Sequence, residues 1–515
     1  MVNPHIPILG CSLCCLAVVS CAAIEHGREL QQAQQQLGDA MGRHPSWAVD
    51  TPLRTLAVPP SGELDLDLVI DLALTNNRAL RADIELIGQA KAELVQAGLL
   101  SNPLLTVLLR FPEAGGRASL DIGLFKDFAD LWLIPLRKRA AQSILQQRLL
   151  SFTDNAVALV RELSTAYATL QYSESAIKLQ AENLEVLGQA IDFAQARLRT
   201  GSTTQLDVNL LEARRLQAEL ELLQLRNDRR TTQLDILRLI GTPQSSVDWR
   251  PTPFPHEPRN ESVNEDALID WGLRRRLDIQ AAGWEVDAAL ADFQQQRRRL
   301  IQSFGIGISG ERFERRAIPD RNVAADAARA SIENGRLTAP EIEPSSARRA
   351  ERSQEIDLIL GPVVQVPLPI FDQNQAQIAK AQYRARELGE RYSDLEQRTV
   401  QQIRTAIVTL RTAVKRREIY QQSLLPVQES NLRVAETAYQ SAQESILTVL
   451  LAQQELVQVR LGLAAAIRDE LTARASLARE LGGRMPRIEE LSPATDSTAV
   501  LDPSTQPTTQ VSAEP

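Results

Sequence analysis

Few residues in this chain have the types and spacing that chemistry requires. The four cysteines, Cys11, Cys14, Cys15 and Cys21, all fall in the first 21 residues, so the body beyond them has no thiol and no disulfide. The four histidines, His5, His26, His44 and His256, are scattered, and none stands at a ligand-like spacing from a cysteine or carboxylate. GIGISG at 305–310 has the glycines of a phosphate-binding loop but no helix start after it and no Lys-Ser/Thr pair. Asn260-Glu261-Ser262 fits a glycosylation pattern, a common chance match. The sequence therefore predicts no enzyme, no metal site and no cofactor. The formal net charge of −8 comes from 65 acidic and 57 basic residues, well mixed and without a basic stripe, which argues against nucleic acid as a partner.

One chemical step remains, at the start of the chain. IPILGCSLCCLAVVSC, residues 6–21, is an apolar run of export length ending in Val18-Val19-Ser20-Cys21. It resembles a bacterial lipoprotein signal, which implies removal of residues 1–20 and acylation of Cys21, palmitate included. Its leading MVNPH carries no Lys or Arg, a departure from that pattern. Ala22 stands where an Asp would retain such a lipoprotein at the inner membrane, so the signal implies delivery to the outer membrane. No later segment has the roughly 20 apolar residues of a spanning helix. Any further crossing would be made of strands.

The chain repeats itself. LVIDLALTNNRALRA from Leu68 aligns with ALIDWGLRRRLDIQA from Ala267 at an offset of about 199 residues. QLDVNLLEA before LRLIG aligns with ILTVLLAQQ before ARELG at an offset of about 241, placing Leu206 on Leu447 and Gly241 on Gly482. The difference of about 40 residues is taken up by a polar, Arg-rich insertion over 311–355. Each copy reads as a helix, strands and a long helical hairpin. In the first, the expected helix runs from about 66 to 100, and LLTVLLRF and ASLDIGLF form a β-hairpin. A long helix is expected from Leu136 to Thr200, roughly 95 Å at 1.5 Å per residue. Ala156, Val160, Leu163, Tyr167 and Leu170, then Leu184, Leu187, Ile191, Ala194 and Leu198, mark its seam by alternating steps of three and four. Gly201 ends it in a left-handed turn, and Ser202, Thr203 or Thr204 caps the next, from 205 to 240.

SFGIGISGE and IDLILGPVVQVPL supply a second pair of strands, with Phe304, Ile306 and Ile308 on one face. Four strands cannot close, and a sheet in a membrane must. Either the chain shares a barrel with copies of itself or the strands form a small soluble sandwich.

The order, duplication and signal together resemble the TolC-type outer membrane factors, in particular the lipoprotein branch that serves resistance-nodulation-division efflux systems. The residues carrying the resemblance are the repeated LIDLALTNNRALRA-like opening, ARLRTGSTTQLDVNLLEARR, LRLIG, and VPLPIFDQNQAQIAKAQ at 366–382. It implies a mostly α fold with a small β part. Two tandem repeats build antiparallel coiled-coil hairpins and four strands, which a homotrimer assembles into a 12-stranded barrel. It divides the chain into a signal (1–20), a lipid-anchored segment (21–60), a first repeat (61–241), an equatorial linker (242–264), a second repeat (265–483) and a disordered tail (484–515). The implied function is a passive exit duct, fed by a periplasmic adaptor and an inner-membrane transporter and seated in outer membrane lipid. A type I protein-secretion duct or a pore-free coiled-coil scaffold lipoprotein are the alternatives. The adaptor-contact tips are Arg199, Thr200, Gly201 and Ser202, and Ser441, Ala442 and Gln443. Ala442 departs from a family glycine. The entrance gate would use Asp207 and Tyr439. Glu444 stands where a basic partner is often found, so that link is missing or reversed. Carboxylates at a narrow entrance would draw cations; for Asp207 and Glu444 the alternative is ordinary solvated helix-end charge.

Overall fold

A computed structural model describes residues 25, 27–45, 47, 54, 56, 62–111, 118–245, 248–254, 264–299, 303–312, 328–329, 331–335, 358–441, 443–487 and 490. The signal, Cys21, Ala442 and most of the 311–355 insertion lie outside them. In chain order the elements are α1 (Gly27–Met41), β1 (Glu63–Leu64), α2 (Leu66–Asn76), α3 (Arg78–Ala97), β2 (Leu104–Arg110), β3 (Ser119–Asp127), α4 (Asp130–Arg199) and α5 (Gln205–Ile240). Then follow β4 (Arg250–Pro251), α6 (Glu265–Arg275), α7 (Leu277–Arg298), β5 (Gly305–Arg312), β6 (Leu358–Gln365), α8 (Gln375–Glu418), α9 (Leu425–Gln440) and α10 (Ile446–Glu480). The described residues fall into two compact units, one from 1–93, 142–287 and 386–515, the other from 94–141 and 288–385. No described helix is long and apolar enough to cross a membrane.

The second unit holds a four-stranded antiparallel sheet, ordered β2-β3-β5-β6. Its register puts Leu105, Val107, Ile122, Leu124, Ile306, Ile308, Leu360 and Val364 on one face, because paired residues point the same way. All eight are exposed. Along the central strands the opposite face carries Asp121, Gly123, Phe125, Gly305, Gly307 and Ser309. Phe125 lies over Gly123 and Gly307, so closely that a Cβ at Gly307 would come within 2.6 Å of its ring. The β2-β3 and β5-β6 connections leave one end of the sheet, and the helices leave the other.

In the first unit, both repeats use the same joint. The expected helix at 66–100 is broken at Asn77, whose Oδ1 accepts from the amides of Ala79 and Leu80 while its Nδ2 donates to Leu239 O at 2.8 Å. An N-cap side chain restarts the helix in a new direction. About 199 residues on, Arg276 breaks α6 from α7 with nearly the same backbone angles, φ −61 and ψ 125 against −56 and 124. Its guanidinium binds Glu480, the residue matching Leu239, together with Gln402 at 2.7 Å and Asp278 at 2.6 Å. Glycine is required beside each joint: Gly241 and Gly482 have φ of 85 and 90. A Cβ there would lie 2.6 Å from Asn76 O and 2.9 Å from Arg275 O.

The expected seam is present, with Ala156, Val160, Leu163, Tyr167 and Leu170 all buried. The helix start differs. α4 begins at Asp130, so Pro135 lies inside it. Its ring removes the amide that would otherwise bond Leu131 O, a loss confined to the first turns of the helix. In the second repeat, Pro426 follows a π-helical turn at Ile419–Leu424, where Leu425 N–H reaches back to Tyr420 O. The Tyr420 ring sits against Gly462, where a Cβ would come within 2.7 Å of it. The turn is held by a buried ion triad: Arg417 donates to Glu470 and, at 2.8 Å, to Gln421, while Arg474 binds the same carboxylate at 2.9 Å.

Replacing Gly241 with Val is expected to cost about 3 kcal/mol, from a left-handed backbone plus a clash, and to lower the unfolding midpoint in a thermal melt. Ala at the open helical Gly188 should leave it unchanged or raise it. Glu470→Ala leaves Arg417 buried without its carboxylate and should cost about 3–5 kcal/mol, read as a loss of the folded baseline at lower denaturant.

Candidate functional site at the hairpin tips

The first tip is closed by its own backbone. Gly201 takes φ 71, Gly201 N–H donates to Leu198 O at 3.0 Å, and Ser202 N–H reaches back to Arg197 O at 2.9 Å. This paired closure satisfies carbonyls that a helix end leaves unbonded. Thr200 Oγ1 donates to Arg197 O at 2.9 Å, and the Arg197 guanidinium donates to Ser202 O at 3.2 Å. Arg199, the last residue of α4, points to solvent. The second tip repeats the long bond at the matching place: Gln443 N–H donates to Ala438 O at 2.9 Å. Ser441 Oγ donates to Thr437 O at 3.0 Å.

Of the three residues the sequence offers as helix caps, Thr204 does it, in a reciprocal capping box with Asp207. The Asp207 carboxylate accepts from Thr204 Oγ1 at 2.7 Å, Thr204 N–H at 3.0 Å and Thr203 Oγ1 at 2.9 Å. These bonds from the Thr204 hydroxyl and amide and the Thr203 hydroxyl hold its carboxyl below the usual range, although the group is fully exposed. The equivalent position in the second repeat is Thr448, which donates instead to Glu444 at 3.0 Å. Ser445 caps that helix without a side-chain bond to its backbone.

Tyr439 is half-buried, its ring edge-on to Phe193 at 6.2 Å. Asp207 and Tyr439 share no bond among the described residues: Asp207 is held by Thr203 and Thr204 of its own hairpin, the first, and Tyr439 of the second hairpin lies against Phe193 of the first. The two hairpins meet just behind the tips in one core of Ala190, Ile191, Ala194, Val208, Leu211 and Leu450, with Leu198 and Ile446 against it. Arg214 donates to Gln454 across the same contact at 2.9 Å. Sequence reasoning missed Phe193, Arg197 and the Arg214–Gln454 link. Phe193 is the one aromatic close to the first tip, and that was its only signal.

A second set of apolar residues behind the tips has no partner. On α5, Leu206, Leu216, Leu220, Leu223 and Leu234 are all at least 47% exposed, and on α9 so are Val427 and Val434. Steps of seven and fourteen relate many of them, the period of a helix seam. A single chain leaves both seams open.

One unit thus holds a four-stranded antiparallel sheet, and the other holds long capped helical hairpins, built twice over and with exposed apolar seams. The chain belongs to the outer membrane efflux protein family, whose pattern matches residues 137–242 and 268–483. Solved structures share the fold. A membrane protein from Pseudomonas aeruginosa is 17% identical with a TM-score of 0.61, over 84% of this chain and 99% of its own. The outer-membrane channel OprN is 18% identical at 0.63, over 85% and 98%. The open state of the Neisseria gonorrhoeae MtrE outer membrane channel is 17% identical at 0.60, over 85% and 97%. No curated protein sequence matches the chain.

A depressed carboxyl in the folded state contributes stability above its unfolded value that is lost as pH falls through the lowered one. The protection of amides 204–208 relative to their intrinsic exchange rate at each pH should therefore fall selectively as pH drops below the ordinary aspartate range. Asp207→Ala should show that low protection at all pH values.

Proposed function

We propose that the chain is the outer-membrane exit channel of a tripartite efflux pump. It is a passive homotrimeric duct, anchored through acylated Cys21. The observation that carries this is the sheet, with a run of exposed apolar side chains across all four strands of one face, and open at both β2 and β6. In hydrocarbon such edges must be paired, and natural spanning barrels start at about 8 strands. Three copies bring twelve strands and close the ring. The unpartnered seams of α5 and α9 support the same symmetry, since one edge of each copy then packs against the other edge of its neighbour. Helices leave one end of the sheet and the β2-β3 and β5-β6 connections the other, which supports a reading with the hairpins in the periplasm and the 311–355 insertion outside.

At the hairpin tips, Arg199, Thr200, Gly201, Ser202, Ser441, Ala442 and Gln443 meet a periplasmic adaptor, which couples the duct to an inner-membrane resistance-nodulation-division transporter. Asp207, Tyr439 and Glu444 form the entrance constriction between neighbouring copies. The capping box supports this reading by fixing the Asp207 carboxylate, ionised, at the tip. Energy is supplied elsewhere in the pump.

In planar bilayers the purified protein should form pores, and run as a trimer that heat converts to monomer. Leu220→Asp should shift the unheated band to monomer. Replacing Asp207 and Tyr439 together with Ala should raise conductance severalfold; unchanged conductance rejects the gate, and absence of any pore rejects the channel.

A further inference from the structure

Apolar sequence does not stop where the strands of the sheet stop. Beyond Gln365, where β6 ends, all six residues Val366-Pro367-Leu368-Pro369-Ile370-Phe371 are apolar, and Ile370 N–H turns back to Leu368 O at 2.9 Å. Beyond the strand, Leu368, Ile370 and Phe371 are 76%, 68% and 89% exposed. Pro367 and Pro369 limit the conformations this segment can take.

The segment is also tied to a cluster of charge. Asn374 is buried and takes φ 63, a left-handed conformation that costs a non-glycine residue energy. Its Nδ2 donates to Gln296 O at 2.8 Å and to Gln296 Oε1 at 3.2 Å, and its backbone N–H donates to Asp372 at 2.9 Å. Gln296 immediately precedes Arg297, Arg298 and Arg299, which are all exposed. Among the described residues, Arg297 lies over the Phe293 ring at 5.8 Å and none of the three meets a carboxylate. The nearby acids are already engaged, Asp372 by Asn374 and Asp292 by Gln296 at 3.2 Å.

We propose that Val366–Phe371 and Arg297–Arg299 form one docking surface for anionic phospholipid in the periplasmic leaflet of the outer membrane. The apolar segment enters the acyl boundary, while the guanidiniums bind headgroup phosphates, for which their planar donors are well matched. Two features select a lipid over a second copy of the chain: the apolar segment follows directly on β6, and an arginine triplet that meets no carboxylate among the described residues flanks it. The Asn374 bonds hold both parts at one level. This inference rests on the reading of the sheet as part of a membrane barrel.

The test uses the full-length protein in phosphatidylcholine vesicles containing trace spin-labelled phosphatidylglycerol or phosphatidylcholine, with electron paramagnetic resonance measuring the fraction of each label held at the protein. Wild type should prefer phosphatidylglycerol, and Arg297→Gln, Arg298→Gln and Arg299→Gln together should remove that preference, on the order of fivefold for each arginine, with the heat-modifiable trimer intact. Ile370→Ser with Phe371→Ser should reduce the held fraction of both labels. An inserted wild-type trimer that holds both labels equally overturns the inference alone. Loss of the trimer in the Ile370/Phe371 variant with unchanged label binding overturns it too, making the segment a contact between copies. A wild type that neither inserts nor trimerises overturns the channel reading and this inference together.

Discussion

An open sheet edge is the constraint from which the rest of this protein follows. β2 and β6 each present a row of backbone donors and acceptors paired on one side only. Water can solvate such a row, but hydrocarbon cannot, and each unpaired group there costs several kcal/mol. The apolar face of the sheet favours the membrane, while the edges forbid it to a lone chain. The proposed association between copies would pair those edges, and the exposed seams of α5 and α9 express the same incompleteness in helices.

Duplication gives the chain two hairpins from one plan, and the joints show how far that plan can drift. Asn77 and Arg276 bend their helices through nearly identical backbone angles, yet one does so with a neutral amide and the other with a guanidinium among carboxylates. Burial works against ionisation of Asp278, and the Arg276 guanidinium outweighs it, holding that carboxyl below its usual range. Asn77 bonds a backbone carbonyl of the helix that ends beside Gly241, whereas Arg276 bonds the Glu480 side chain of the helix that ends beside Gly482, and each bond ties a long helix to its short ones. Geometry is preserved while chemistry changes, because the requirement is for a bonded bend rather than for a particular side chain.

The tips combine a rigid turn with exposed charge. Asp207 stabilises its own helix start, so a role toward a neighbouring copy would draw on a carboxylate already oriented by three donors. That is an economical arrangement for an entrance, since ionised, fixed oxygens cost little further ordering when a partner arrives. Tyr439 is likewise placed by Phe193 before any partner is present. The buried triad at Glu470 and the π turn before Pro426 lie farther along the second hairpin, where they hold a helix that its proline would otherwise break.

The sequence by itself determined what depends on local spacing. The three-and-four seam of α4, the alternation in the strands, the Gly201 turn and the cap beside it, and the duplication were all legible, because each follows from a period or a single residue's conformational preference. Only the tertiary structure decided the bends at Asn77 and Arg276, which bond Leu239 and Glu480, each more than 160 residues away. It also decided that Pro135 sits inside a helix, that Thr204 rather than Ser202 or Thr203 caps α5, and that Asp207 is held in a capping box. Propensity says where a helix can stop; which hydrogen bonds make stopping or continuing favourable is settled by groups that only folding brings together.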